Sequence, residues 1–290
     1  MVPFERVLIV GLGLIGGSTA LALRRAGFEG EIVAYDMAPA AKQALTAGTV
    51  DALHDRALEA GGARAGDLVV LATPVGATVE ILRGPARHLA AGVVVTDVGS
   101  TKRAVCAAWD EQPAQPGVDF VGGHPMCGSH RSGFAAARED LFDGATYFLV
   151  ADHGTARDDM TAVVEALGAR PVVVDAGTHD RAVAMSSHLP QLLASVLGAV
   201  VADSDLPVVR ASGLASMTRL AASPWSVWSD TFATNHDVLA EPLDQVIALL
   251  AEARSALAVG DPAPLERLFA RAASFENLPL HALDRDGPSG

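Results

Sequence analysis

The chain has 290 residues, with 21 lysines and arginines against 34 aspartates and glutamates, for a formal net charge of −13. That length fits one large domain or two smaller ones around a substantial core, and a composition that is 50% hydrophobic excludes wholesale disorder. The negative excess repels a phosphate backbone, which makes nucleic acids and anionic membranes poor partners. Two cysteines, Cys106 and Cys127, cannot build a disulfide framework and suit a reducing compartment. Residues 1–6 show no basic leader or cleavage site. The longest apolar stretch, Leu189–Ala202, is too short to span a bilayer, so a soluble cytoplasmic protein is expected. Lysine is scarce: Lys42 and Lys102 are the only two, and the other basic residues are arginine.

Residues 7–10, 32–35, 68–71 and 93–96 are short apolar runs rich in β-branched side chains. Strands without polar alternation are what a parallel sheet covered on both faces requires. Further strands are expected near residues 120–121, 146–150 and 171–174. Helix-compatible segments lie between the runs, giving a βαβ series and a doubly wound, Rossmann-type α/β domain over residues 1–174. After that the texture changes to helix-compatible tracts at 178–202, 207–222, 226–259 and 264–275, with a break or kink expected at Pro242. They predict an all-α second domain over residues 175–283. Leu192, Leu193, Val196, Leu197, Val200 and Val201 leave the first tract little polar face, so it should be covered on all sides. A second copy of the chain is one source of that cover. Residues 284–290 are polar with Gly and Pro and are expected to form a flexible tail.

After the first expected strand comes Gly11-Leu12-Gly13-Leu14-Ile15-Gly16, a dinucleotide fingerprint that gains weight from its strand–turn–helix context. Gly11 permits the tight turn, Gly13 admits a pyrophosphate close to the backbone, and Gly16 allows close helix-to-strand packing. The helix N-terminus supplies unpaired N–H groups for the phosphates. Asp36 ends the second strand, where a carboxylate bonds both ribose hydroxyls and repels a 2′-phosphate. Met37-Ala38-Pro39 offers no cation to hold such a phosphate. NAD is therefore expected over NADP, with FAD the other cofactor compatible with the fingerprint. Thr73-Pro74, just past the 68–71 run, falls at the carboxyl edge of the sheet, where such folds bind ligands.

Gly122-Gly123-His124-Pro125-Met126-Cys127-Gly128-Ser129-His130 is the densest chemical constellation. Its glycines let backbone pass close to a ligand, and a histidine such as His124 ordinarily titrates near neutrality, which suits a general base. His124, Cys127 and His130 also have metal-ligand spacing, but no second cluster matches them, so no metal is expected. In Asp97-Val98-Gly99-Ser100-Thr101-Lys102, Ser100 either caps a helix or directs its hydroxyl at a substrate beside the nicotinamide. Thr178-His179-Asp180 leads into Ser186-Ser187-His188-Leu189-Pro190-Gln191, and Met217-Thr218-Arg219 precedes Trp225, Trp228 and Asn235. A carboxylate substrate needs a bidentate arginine, and Arg219 is the best-placed candidate in the helical half.

The ordered set Gly11-x-Gly13-x-x-Gly16, Asp97-x-Gly99-Ser100-x-Lys102, Gly123-His124-Pro125-Met126-x-Gly128, Ser132-Gly133 with Leu141-Phe142-x-Gly144, and Ser187-His188-Leu189-Pro190 resembles the prephenate/arogenate dehydrogenase family. The likeness continues through Thr218-Arg219 and Trp228 to Asn235, so it covers nearly the whole chain. It implies a Rossmann domain followed by a helical dimerisation domain, hence a homodimer. The implied reaction is NAD(P)-dependent oxidative decarboxylation of a cyclohexadienol on the tyrosine pathway. By that resemblance His124 accepts the proton of the ring 4-hydroxyl as hydride leaves C4, and Ser100 hydrogen-bonds that hydroxyl and His124. Arg219 grips a substrate carboxylate and His188 lines the pocket, with Ser187, Gln191, Ser129, His130 and Arg131 also placed around the substrate. Prephenate is the expected substrate, giving 4-hydroxyphenylpyruvate. Arogenate, giving tyrosine, and a 4-amino-4-deoxyprephenate are the alternatives.

Three positions depart from the family pattern. Ser129-His130-Arg131 follows Gly128 where the family commonly has a threonine and a glutamate, so a carboxylate is replaced by a histidine beside an arginine; Gln191 replaces a histidine, and Cys127 fills a small-residue place as packing. The first two bear on the side-chain end of the substrate. The chain ends near the helical domain, so no further regulatory or mutase domain is expected. Two rival readings stand beside this one. β-Hydroxyacid dehydrogenases rely on a lysine in their helical domain, and no lysine follows Lys102. A non-catalytic dimeric NAD-binding module would need neither His124 nor Arg219.

Overall fold

The computed structural model describes residues 1–36, 39–54, 58, 62–111, 116–128, 132–151, 154–204 and 211–277. In the first half the elements are β1 (Arg6–Val10), α1 (Leu14–Arg25), β2 (Glu31–Tyr35), α2 (Pro39–Thr46), β3 (Ala52–Leu53), β4 (Asp67–Leu71) and α3 (Val75–Arg83). There follow β5 (Val94–Asp97), α4 (Arg103–Asp110), β6 (Asp119–Pro125), β7 (Thr146–Val150), α5 (Thr155–Ala166) and β8 (Arg170–Val173). The strands make one sheet in the order β3-β2-β1-β4-β5-β6-β7-β8. Every residue of β1 and β4 is buried, because helices cover the sheet on both sides. Leu23 of α1 and Met160 of α5 pack on one face, and Leu82 of α3 and Val105 of α4 on the other. Full burial of one such leucine is worth roughly 1.5–3 kcal/mol.

The sheet is not parallel throughout. From β3 to β6 all neighbours run parallel, but β7 pairs antiparallel with β6, and β8 is parallel to β7. A parallel pair needs a crossover, usually a helix, whereas an antiparallel pair does not. Between β6 and β7 the described chain contains only a short 3-10 turn, Phe134–Ala136, and so the strand returns reversed.

The second half is helical: α6 (Ala176–Val183), a π-turn (Ala184–His188), α7 (Leu189–Ala202), α8 (Ser212–Met217), a 3-10 turn (Arg219–Ala222), α9 (Trp225–Val259) and α10 (Ala263–Ala273). Two expectations need correction. α6, the π-turn and α7 run on as one helix, Ala176–Ala202, long and apolar enough by length and composition to cross a membrane. Its His179, Asp180, His188 and Gln191 are nevertheless buried inside the protein, which identifies it as a helix that builds the site. The break in α9 falls at Asn235 (φ −131°, ψ 19°), not at Pro242, which lies within the helix. Asn235 is pulled out of register by tertiary hydrogen bonds to Asp180 and His188. Within one chain α7 is not covered on all sides, since Val196 and Val200 are exposed.

Candidate active site

The cofactor cradle is built by backbone. Gly11 adopts φ +97°, and a Cβ there would meet the Ala72 carbonyl oxygen at 2.5 Å. A Cβ on Gly16 would lie 2.0 Å from the Gly11 carbonyl oxygen, so close packing of α1 on the turn demands glycine at both places. Gly13 is the N-cap of α1, with no side-chain cap bond and open space where its side chain would stand. The N–H groups of the first turn, including those of Leu14, Ile15 and Gly16, are thus left for a ligand. Asp36 Oδ2 accepts the Leu12 N–H at 2.7 Å, which holds the carboxylate against the glycine turn at the end of β2. Thr73 Oγ1 bonds Thr78 Oγ1 at 2.9 Å, and Pro74 is the N-cap of α3. These residues fit a dinucleotide with a free ribose diol.

His124 stands near the end of β6, placed there by its neighbour. A Cβ on Gly123 would meet the Asp97 carbonyl oxygen at 2.4 Å, and the Gly123 N–H donates to Asp97 Oδ1 at 3.0 Å. The other carboxylate oxygen of Asp97 accepts the Gly99 N–H at 2.8 Å and the Lys102 ammonium, inside a fully buried ion pair. From this anchored strand His124 Nδ1 reaches His179 Nε2 at 2.8 Å. His179 Nδ1 in turn meets Asp180 Oδ1 at 2.7 Å.

Proton counting assigns the tautomers of this chain. A carboxylate only accepts, so His179 Nδ1 carries hydrogen and its Nε2 is a lone pair. His124 therefore donates from Nδ1, and its Nε2 is left as an acceptor with no partner among the described residues. Burial, then the electrostatic cost of a second charge beside His179, the Lys102 ammonium and His188, hold His124 well below its ordinary pKa of 6.5. Burial also lowers His179, against the opposing pull of Asp180. Asp180 is kept ionised: hydrogen bonds from His179 and from the Arg103 and Lys102 N–H groups outweigh the burial that opposes its charge. The result is a neutral imidazole with its open nitrogen in a half-buried position, as a general base requires.

The helical half docks on the carboxyl edge of the sheet through polar contacts. Asp180 Oδ1 and Oδ2 accept the Lys102 and Arg103 N–H groups at 2.7 and 3.0 Å, filling the N-terminus of α4. Asp230 Oδ2 accepts the Gly76 N–H of α3 at 2.8 Å. Thr101 Oγ1 meets Thr234 Oγ1 at 2.8 Å, and Arg103 pairs with Asp237 at 2.9 Å. Ser100 Oγ meets Thr231 Oγ1 at 2.7 Å. Ser100 is therefore neither the cap of α4, whose N-cap is Lys102, nor the hydrogen-bond partner of His124. His179 takes that place because α6 packs directly beside β6.

His188 is buried, its Nδ1 faces the Asn235 side-chain amide at 3.2 Å, and its ring meets Trp228 edge-on at 6.0 Å. Burial pushes it down to about 4, so it lines the site as a neutral ring. Gln191 is buried one turn further along, and its Nε2 donates to the Leu220 carbonyl at 3.0 Å. That bond fixes the turn carrying Arg219, which is exposed and has no carboxylate partner among the described residues. Ser187, immediately before His188 in sequence, is half-buried. Ser129, His130 and Arg131 lie outside the described residues. Among the described residues no group of His, Cys, Asp and Glu side chains is arranged to hold a metal.

The sequence displayed His179, Asp180 and Thr231 without disclosing their roles. The one available signal was the His-Asp dipeptide just ahead of the Ser187-His188 motif.

Comparison with known proteins agrees with this geometry. The model of the prephenate dehydrogenase nucleotide-binding domain matches residues 19–174, and that of the prephenate dehydrogenase dimerization domain matches residues 175–271. Prephenate dehydrogenase of Lactococcus lactis is 32% identical over 91% of this chain and 75% of its own length. That of Bacillus subtilis is 33% identical over 95% of this chain and 76% of its own. The structure of prephenate dehydrogenase from A. aeolicus with hydroxyphenyl propionate and NAD+ superposes with a TM-score of 0.82 at 27% identity, covering 94% of this chain and 98% of that one. The fold, the ordered site and these relatives give one answer: the chain belongs to the prephenate dehydrogenase family.

Proposed function

We infer that the protein is an NAD-dependent prephenate dehydrogenase, converting prephenate to 4-hydroxyphenylpyruvate and CO2 in tyrosine biosynthesis. The observation that carries this reading is the Asp180–His179–His124 chain, which presents an unprotonated Nε2 at the carboxyl edge of a sheet bearing an NAD cradle. Bound NAD supplies the acceptor for the hydride that leaves C4. His124 Nε2 takes the proton of the 4-hydroxyl, and the imidazolium so formed is held by His179 and, through it, by the Asp180 carboxylate. Loss of the ring carboxylate as CO2 makes the ring aromatic, and the proton on His124 returns to the phenolate oxygen so formed. Arg219 holds a substrate carboxylate, and His188 with Gln191 and Ser187 bounds the pocket. Ser100 directs its hydroxyl at the reacting oxygen, while Asp36 takes the ribose hydroxyls of NAD beside the turn formed by residues 11–16.

The same reading makes the protein a cytoplasmic homodimer joined through its helical half. Val196 and Val200 of α7, Ile247 and Leu250 of α9, and Phe269 of α10 are exposed in the single chain, an apolar surface of the kind that a second copy covers. NADH formation measured with prephenate and with arogenate side by side tests the assignment. Turnover of prephenate supports it, and no turnover of either compound despite NAD binding would make the chain a binding module.

A further inference from the structure

Two hydroxyl pairs join the loop after β5 to α9, and only one of them has its donor fixed by a further bond. Thr234 Oγ1 donates to the Asp230 carbonyl one turn back at 2.7 Å. A hydroxyl has one hydrogen to give, so in the pair with Thr101, 2.8 Å away, Thr101 must be the donor. Thr231 lies one residue beyond Asp230 in α9, buried and 2.7 Å from Ser100 Oγ. No bond from Thr231 Oγ1 to the Val227 carbonyl is present among the described residues, so its hydrogen is uncommitted and either hydroxyl of this pair can donate. With Thr231 as the donor, Ser100, half-buried at the edge of the site, keeps its own hydrogen for whatever occupies the cleft.

We propose that Thr231 is a positioning residue for the reaction: by donating to Ser100 Oγ it fixes that side chain's rotamer and makes Ser100 a hydrogen-bond donor toward the substrate's reacting oxygen. The proposal rests on the reading that Ser100 faces the substrate. Thr231 reaches no reacting atom itself and acts across the seam between the halves, from a helix anchored by Asp230 on Gly76.

The test is a double-mutant cycle with Ser100→Ala and Thr231→Val, with Thr231→Ser as the conservative variant, each assayed for kcat and for KM of prephenate and NAD. Thr231→Val removes only the hydroxyl, and Ser100 retains access to water, so thermal unfolding should move little. Loss of one neutral hydrogen bond predicts a fall in kcat of about fivefold to tenfold, with KM for NAD unchanged and kcat restored in Thr231→Ser. In the Ser100→Ala background, Thr231→Val should cause no further loss, as expected for a residue acting through another. Additive losses, or wild-type kcat in Thr231→Val while Ser100→Ala is impaired, would overturn the proposal. Wild-type kcat in Ser100→Ala would instead overturn the reading of Ser100 on which it stands.

Discussion

His179 and Asp180 are adjacent in sequence, wholly buried, and joined side chain to side chain by a 2.7 Å hydrogen bond. Neighbours in a helix do not ordinarily face one another, and here both turn toward the sheet because Asp180 also fills the N-terminus of α4. The tautomer of the base on β6 is thereby decided by a carboxylate on α6.

Replacing the base should be the most damaging change. His124→Asn is expected to lower kcat by roughly a hundredfold to ten-thousandfold, the usual weight of general-base catalysis, with KM for NAD little altered. His179→Ala should lower kcat by less, since it removes the group that fixes the ring and not the base itself. Steady-state kinetics of the two variants check this, and a near-wild-type kcat for His124→Asn would exclude it as the base.

The pH dependence follows from the lowered histidines. His124 stays neutral below its ordinary value of 6.5, so the acid limb of kcat/KM should lie below that pH. Stability has the same sign. His124, His179 and His188 are all depressed in the fold, so on acidification the unfolded chain takes up protons first. Their contribution is complete above about 6.5 and is lost as pH falls, with His188 titrating in the fold at about 4. Urea unfolding across this range should show stability falling toward acid.

Arg219 should act on binding. Arg219→Ala is expected to raise KM for prephenate by about tenfold to a hundredfold, the range of one charge-assisted hydrogen bond, with a smaller change in kcat. Arg219→Lys should recover only part, since an ammonium lacks the bidentate fork. If KM is unmoved in Arg219→Ala, the carboxylate is held elsewhere.

Asp36 should set the cofactor preference. Asp36→Ala removes both the ribose ligand and the charge that repels a 2′-phosphate, so KM for NAD should rise and the ratio of NAD to NADP efficiency should fall. Parallel assays with the two dinucleotides measure it.

The apolar face of α7 should hold the dimer. Val200, 65% exposed in the single chain, becomes buried when a second copy covers it. Val196→Asp with Val200→Asp should yield a monomer by light scattering, with helical content retained by circular dichroism. A dimer of unchanged mass would place the interface elsewhere.

What the residues disclosed depended on whether the governing interaction was local. The turn at residues 11–16 and the β-branched runs were readable because backbone geometry and burial on both faces act within a few positions. The reversal of β7 was not, since a run of apolar residues does not encode the direction of its strand. Proline suggested a break at Pro242, but the break falls at Asn235, where side-chain bonds reach Asp180 and His188. Ser100 was visible as a candidate, yet its partner Thr231 is 131 positions away. His124 and His179, 55 apart, likewise meet only once the helical half has docked.

The two carboxylates that dock that half also govern where an anion can settle. Strands β1, β4 and β5 each feed a helix whose N-terminus opens at the same edge of the sheet, with similar partial positive charge. Asp230 sits on the first turn of α3, and Asp180 on that of α4. Of the three, only the start of α1, behind side-chain-free Gly13, takes no carboxylate from the helical half, and Asp36 accepts from Leu12 just ahead of it. Seating the helical half thus leaves a diphosphate with one address among these three, and the choice is made by a part of the chain remote from the glycine turn.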